Sequence, residues 1–216
     1  MPLPDQRSLR TRLRDDLSHV HERLDSRLSL ADLTTGHGLR RFLFAQSFGF
    51  RQVMARLDDQ DPPATAPLLS RIAEALDADL ATLDAPEARD VARDVAGQED
   101  RPEADEPPLS GLAIDYMVLG SGLGTTVLRR SWAEGTDDDV RAAGQYFTLP
   151  RPPQPWRDLV MHLGDLPASG DRADRITGDA EQIFEFFATG WDRSGDIKLR
   201  TASAPKGDAT RDPTNP

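Results

Sequence analysis

The stretch LRTRLRDDLSHVHERLDSRL at residues 9–28 decides the fold class. Leu9, Leu13, Leu17, Val20, Leu24 and Leu28 recur at spacings of 4, 4, 3, 4 and 4, the period of one buried helix face, with charged residues on the positions between. Ser8 or Asp5 is placed to cap its start. Outward from it the same period returns. A second helix is expected over residues 39–57 and a third over 68–83, through Leu69, Ile72, Leu76, Leu80 and Leu83. A long apolar helix follows over 109–132, a short one over 137–143, and two more over 156–163 and 179–188. Thr34-Thr35-Gly36 and the run 58–67, with three prolines, punctuate the first three. Few stretches alternate with period 2 and no segment repeats. The expectation is therefore an all-α single domain over residues 1–195, with 97–108 as a surface loop and 196–216 as a disordered tail.

Composition narrows the function. With 37 acidic against 26 basic residues the formal charge is -11, and such an envelope repels nucleic acid and anionic lipid. The absence of cysteine excludes disulfides, thiolate metal sites and a cysteine nucleophile. The first residues, MPLPDQRSLRTRLRDD, hold no apolar run of the secretory kind. The most apolar stretch, 112–128, contains Asp115 and several glycines, and reads as too interrupted to span a bilayer. These readings point to a soluble cytoplasmic protein with neither a nucleic-acid nor a membrane partner.

Three features carry candidate chemistry. In Ser18-His19-Val20-His21-Glu22 the two histidines lie about 200° apart on a helix and cannot grip one metal together. His21, four after Leu17 and three before Leu24, sits on the flank of the apolar face, within reach of a ligand packed inside. Spacing alone is equally met by a hydrogen-bonded histidine at a helix boundary. His21-Glu22 with Asp25 is a broken zinc-protease pattern, lacking the second histidine at i+4.

The second feature is VLGSGLGTT at residues 118–126, whose Gly120, Gly122 and Gly124 fall at i, i+2 and i+4. A dinucleotide turn needs the last glycine at i+5, where Thr125 stands, and a strand before it. Read as helix, each glycine costs about 1 kcal/mol against alanine. Such a segment gains close backbone approach, either by another helix or by a flat ligand. The third feature is Tyr146-Phe147-Thr148-Leu149-Pro150, followed by Trp156 and Arg157, whose aromatic residues suit a core or a cofactor wall.

In their order and spacing these three features resemble the heme oxygenase family, in particular its small bacterial, biliverdin-producing members, over roughly residues 7–190. LRTRLRDDLSHVHERLD is similar to the family's proximal segment, with His21 on the axial-ligand position. VLGSGLGTTVLRR is similar to its bent distal helix, with Gly120 and Gly124 on the glycines that approach the heme face. QYFTLP is similar to the aromatic stretch that follows.

The resemblance implies a single-domain helical bundle with heme between proximal and distal helices. It implies cleavage of heme, with O2 and an external electron donor, to biliverdin, carbon monoxide and ferrous iron. A reductase or ferredoxin would supply the electrons, and a photoreceptor that uses the bilin is a conceivable downstream partner. Gly120, Ser121 and Gly124 would serve the reaction, His21 would bind the iron, and Phe147, Arg14 and Arg157 would contact the heme. Arg14 stands seven residues, close to two turns, before His21, so a carboxylate further along that helix side could pair with it.

Three positions depart from the family pattern: Leu119 for an acid, Ser121 for an aspartate, and Thr125 for a second glycine. They are what a heme- or bilin-binding protein of the same fold without turnover would carry. A third reading is a helical interaction module whose glycines serve packing alone.

Overall fold

The computed structural model describes residues 7–83 and 106–195, and among them nine helices and no strand. The helices are α1 (Leu9–Asp16), α2 (Ser18–Leu28), α3 (Gly36–Met54), α4 (Ala66–Thr82), α5 (Gly111–Ala133), α6 (Asp138–Ala142), α7 (Gln145–Thr148), α8 (Gln154–Asp165) and α9 (Asp171–Ser194). The only extended pairing described is an isolated antiparallel bridge between Ser8 and Pro167. The all-α expectation therefore holds. The expected tail at 196–216 and most of the expected loop at 97–108 lie outside the described residues.

The single helix expected over 9–28 is two. Ser18 Oγ donates to the Asp15 carbonyl at 2.9 Å, and the chain turns at Leu17 between α1 and α2. A hydroxyl that competes for a helix carbonyl is a recognised cause of such a bend. The apolar stripe survives it, because Leu17 N–H still reaches Leu13 and His21 N–H still reaches Leu17. Ser8, not Asp5, is the cap: its hydroxyl accepts from Thr11 N–H at 3.4 Å.

At the centre α3 packs along α9. Phe42, Phe44, Phe48 and Phe50 are buried from α3; Ile176, Ile183, Phe184, Phe187 and Trp191 are buried from α9. Two glycines set the close approach. A Cβ at Gly49 would stand 2.4 Å from the Phe187 ring, and one at Gly190 would stand 2.8 Å from the Ala45 carbonyl oxygen. α9 begins eight residues before the expected start, after Gly170 at φ 101°, with Asp171 and Asp174 in its first turn where the helix dipole favours anions.

α5 crosses this pair as one uninterrupted helix of 23 residues, so the dinucleotide-turn reading of its glycines is excluded. It is also long and apolar enough to cross a membrane by length and composition, contrary to the sequence expectation, since glycines dilute hydropathy without charging it. The apolar residues of its first half, Ala113, Ile114, Met117 and Val118, are buried in the protein core, whereas Leu123 and Val127 of its second half are exposed. Two carboxylates from other elements hold its first turn, Asp179 accepting from Ser110 N–H at 2.7 Å and Asp61 from Gly111 N–H at 3.0 Å. Asp115, the polar residue inside its apolar run, accepts from Ala64 N–H, Thr65 N–H and the Thr65 hydroxyl, and so ties α5 to the start of α4.

Candidate functional site

α2 and α5 stand on opposite sides of a cavity of about 550 Å³, within the range of small-molecule and cofactor sites. Leu17, Val20 and Leu24 bury one face of α2, which leaves His21 on the flank of that face with its side chain 58% exposed at the cavity. The imidazole Nδ1 lies 3.1 Å from Asp25 Oδ2, and the ring meets Phe184 edge-on at 5.6 Å. With Nδ1 beside the carboxylate, Nε2 is the ring nitrogen not facing Asp25. His19 faces another way, with Nε2 3.7 Å from Glu181 Oε1, and takes no part in the cavity wall.

Opposite, α5 contributes Gly120, Ser121, Leu123, Gly124, Thr125 and Leu128 to the wall. The glycines differ in what they face. A Cβ at Gly120 would meet the Trp156 ring at 3.6 Å, and one at Gly122 would meet Arg151 Cδ at 3.2 Å. At Gly124 it would meet nothing within 4 Å. No neighbouring helix therefore requires the glycine at 124; bared backbone at the cavity is what it provides. The hydroxyls beside it turn inward to the helix. Ser121 Oγ donates to the Val118 carbonyl and Thr125 Oγ1 to the Ser121 carbonyl, each at 2.9 Å. Ser121 thus has its proton engaged within the helix while its residue lines the cavity.

The floor is aromatic, built from Phe42 of α3, Tyr146 of α7, and Phe184 and Phe187 of α9. Gln46 is the polar group there: its side chain is buried, and Oε1 accepts from the Tyr146 hydroxyl at 3.2 Å, leaving its amide N–H groups as donors. At one end Arg14, Ser18, Tyr116 and Trp156 line the wall, with Tyr116 and Trp156 in ring contact at 5.7 Å. Burial pushes the Tyr116 phenol pKa up, and the nearby Arg14 charge pulls it down by less, so the hydroxyl keeps its proton at neutral pH. Arg14 itself is largely exposed and also pairs with Asp15 at 2.9 Å.

Of the residues named from sequence, His21, Gly120, Ser121, Gly124 and Arg14 meet at this cavity, and Phe147 and Arg157 do not. Phe147 is buried between Phe42, at 5.8 Å, and Trp132, at 5.5 Å, both nearly parallel to it. Arg157 is exposed on α8. In each case the preceding residue, Tyr146 or Trp156, takes the wall, because neighbours on a helix point about 100° apart. Gln46 and Tyr116 were missed, and Tyr146 was named only as part of the aromatic stretch. The signals were present: Gln46 is the polar interruption of the run Leu43-Phe44-Ala45, and Tyr116 lies one turn before Gly120. Among the described residues no group of three His, Asp or Glu side chains is placed to share a metal ion. No protein-family model and no curated protein matches the chain.

Proposed function

We propose that the cavity binds heme between α2 and α5 and that the protein is a heme oxygenase-like enzyme, degrading that heme to biliverdin, carbon monoxide and ferrous iron with O2 and electrons from a reductase or ferredoxin. The observation that carries the reading is that His21 and Gly124 line one cavity: an imidazole with Nδ1 3.1 Å from Asp25 shares its wall with Phe42, Phe184, Phe187 and a helix bared where no protein group needs it bare. The fit extends to the ends. A heme needs an apolar slot, one nitrogen donor for iron and cations or hydroxyls for its carboxylates. Phe42, Phe184 and Phe187 make the slot, His21 Nε2 is the donor, and Arg14 with the Tyr116 hydroxyl suits the carboxylates.

When bound, heme supplies both the iron that activates oxygen and the ring that is opened. The chain's own part is geometric and protonic. His21 would supply the nitrogen that holds the iron, and Gly120 and Gly124 would let α5 come close to the ring. The Gln46 amide N–H groups would be the side-chain donors of the cavity, since the Ser121 and Thr125 hydroxyls and the α5 backbone N–H groups are engaged within the helix. Tyr116 and Trp156, in ring contact, would wall the cavity beside Arg14, whose guanidinium stays open to solvent. That same engagement of Ser121 and Thr125, with no carboxylate in the α5 wall, favours the second reading, a protein that holds heme or a bilin without turnover.

The two readings part on one experiment. The purified chain is loaded with hemin and given reductant in air, with catalase to remove the free peroxide that bleaches heme unaided. The oxygenase reading expects decay of the Soret band and a green bilin. A stable ferrous complex with no bilin selects the binding protein, and absence of a Soret band sinks both.

A further inference from the structure

Behind the α5 glycines lies a charge that the reading above does not use. Arg151, just after α7, lays its stem against α5 at Gly122, where a Cβ would stand 3.2 Å from its Cδ. Its Nη1 donates to Ser121 Oγ at 3.3 Å, and its guanidinium stands 5.0 Å over the Tyr146 ring. Tyr146 is in turn the residue whose hydroxyl holds Gln46. Nε and Nη2 of Arg151 are buried without a hydrogen-bond partner, and among the described residues no carboxylate pairs with it. A half-buried cation with three unused N–H groups, one on Nε and two on Nη2, interacts more strongly with a nearby negative charge than an exposed one does, because less water screens it.

We propose that Arg151 is a positioning residue of the α5 wall. Through Ser121 and the Tyr146 ring it fixes the glycine segment against the cavity, and its unneutralised charge favours an anion over a neutral molecule on the α5 side of the bound heme. The inference rests on the heme reading for its second half only; the clamp on α5 belongs to the protein without heme.

The test uses Arg151→Gln and Arg151→Lys in the full chain. In the hemin-loaded protein, azide serves as the anionic probe of the ferric iron and imidazole as the neutral one. Arg151→Gln should weaken azide binding about tenfold, the scale of one poorly screened charge acting from behind the wall, while imidazole binding stays near that of the parent. Arg151→Lys, which keeps the charge, should recover most of the azide affinity. A merely structural arginine would move both probes together or neither, and either result overturns the charge role. In the protein without heme, Arg151→Gln should speed amide hydrogen exchange at residues 118–126; unchanged exchange overturns the clamp. If hemin gives no Soret band even with the parent chain, the heme reading fails and the charge role with it, while the exchange measurement still judges the clamp.

Discussion

His19 and His21 stand two residues apart on α2 and meet different surroundings, which separates their roles without reference to any relative. His21 borders the cavity with Nδ1 on Asp25, and His19 reaches Glu181 away from it. His21→Ala should abolish the nitrogen-ligand signature of the ferric hemin complex and weaken hemin binding by at least about tenfold, the loss of one metal–ligand bond being only partly offset by water. His19→Ala should leave the spectrum unchanged. Should the histidine signature vanish in His19→Ala instead, the assigned register of α2 is wrong. This choice was legible in sequence because it depended only on distance from Leu17 and Leu24 along a regular helix. The contributions of Phe147 and Arg157 were not, since each sits where a one-residue error, about 100° of rotation, moves a side chain from wall to core or solvent.

At the scale of the element, α5 carries a conflict between local preference and use. Three glycines within five residues lower its intrinsic helicity by about 3 kcal/mol against alanine, yet the helix is continuous from Gly111 to Ala133. Gly120 has Trp156 beside it at ordinary contact distance, which leaves room for a methyl, and Gly122 has the Arg151 stem in a tighter contact. Gly124 has none. Gly124→Leu should therefore raise the thermal stability of the heme-free protein, by up to about 1 kcal/mol, because propensity improves and nothing is struck. The same variant should lose hemin affinity or turnover, since its side chain enters the cavity. Gly120→Ala, filling ordinary space against Trp156, should be far milder on both counts. A Gly124→Leu protein that binds and degrades heme like the parent would mean that the bared backbone serves no ligand.

The position of these glycines was legible, but which of them is bare was not, because that depends on Trp156 and Arg151 arriving from far along the chain. The first half of α9 was hidden for a related reason. Its buried stripe there is Ala173, Ile176, Thr177 and Ala180, too small and too polar to register as a hydrophobic face until α3 is set against it.

For the whole molecule, stability turns on how the helices that frame the cavity are pinned to one another, and Asp79 is such a pin. Fully buried on α4, its two carboxylate oxygens accept from Gln145 N–H and Tyr146 N–H, each at 2.9 Å, and so hold the start of α7 and with it the cavity residue Tyr146. Burial pushes the Asp79 pKa up, and the two N–H bonds pull it down by less. A carboxyl group that is harder to ionise in the folded chain than in the unfolded one binds its proton more tightly when folded. Stability from this group is then fully present below the ordinary carboxylate range, near pH 3.9, and falls as pH rises through the raised value. Asp79→Asn has the shape of the neutral acid and does not titrate, and the other titrating groups are common to both proteins. The unfolding free energy of Asp79→Asn relative to the parent should therefore shift in the variant's favour as pH rises from the ordinary carboxylate range through the raised value, and level off above it. Chemical denaturation of both proteins across acidic to neutral pH measures that difference directly. A flat difference, or one that moves towards the parent with rising pH, would mean that the two N–H bonds to the carboxylate outweigh its burial, and that α7 is held by a charge at neutral pH with no loss to the fold.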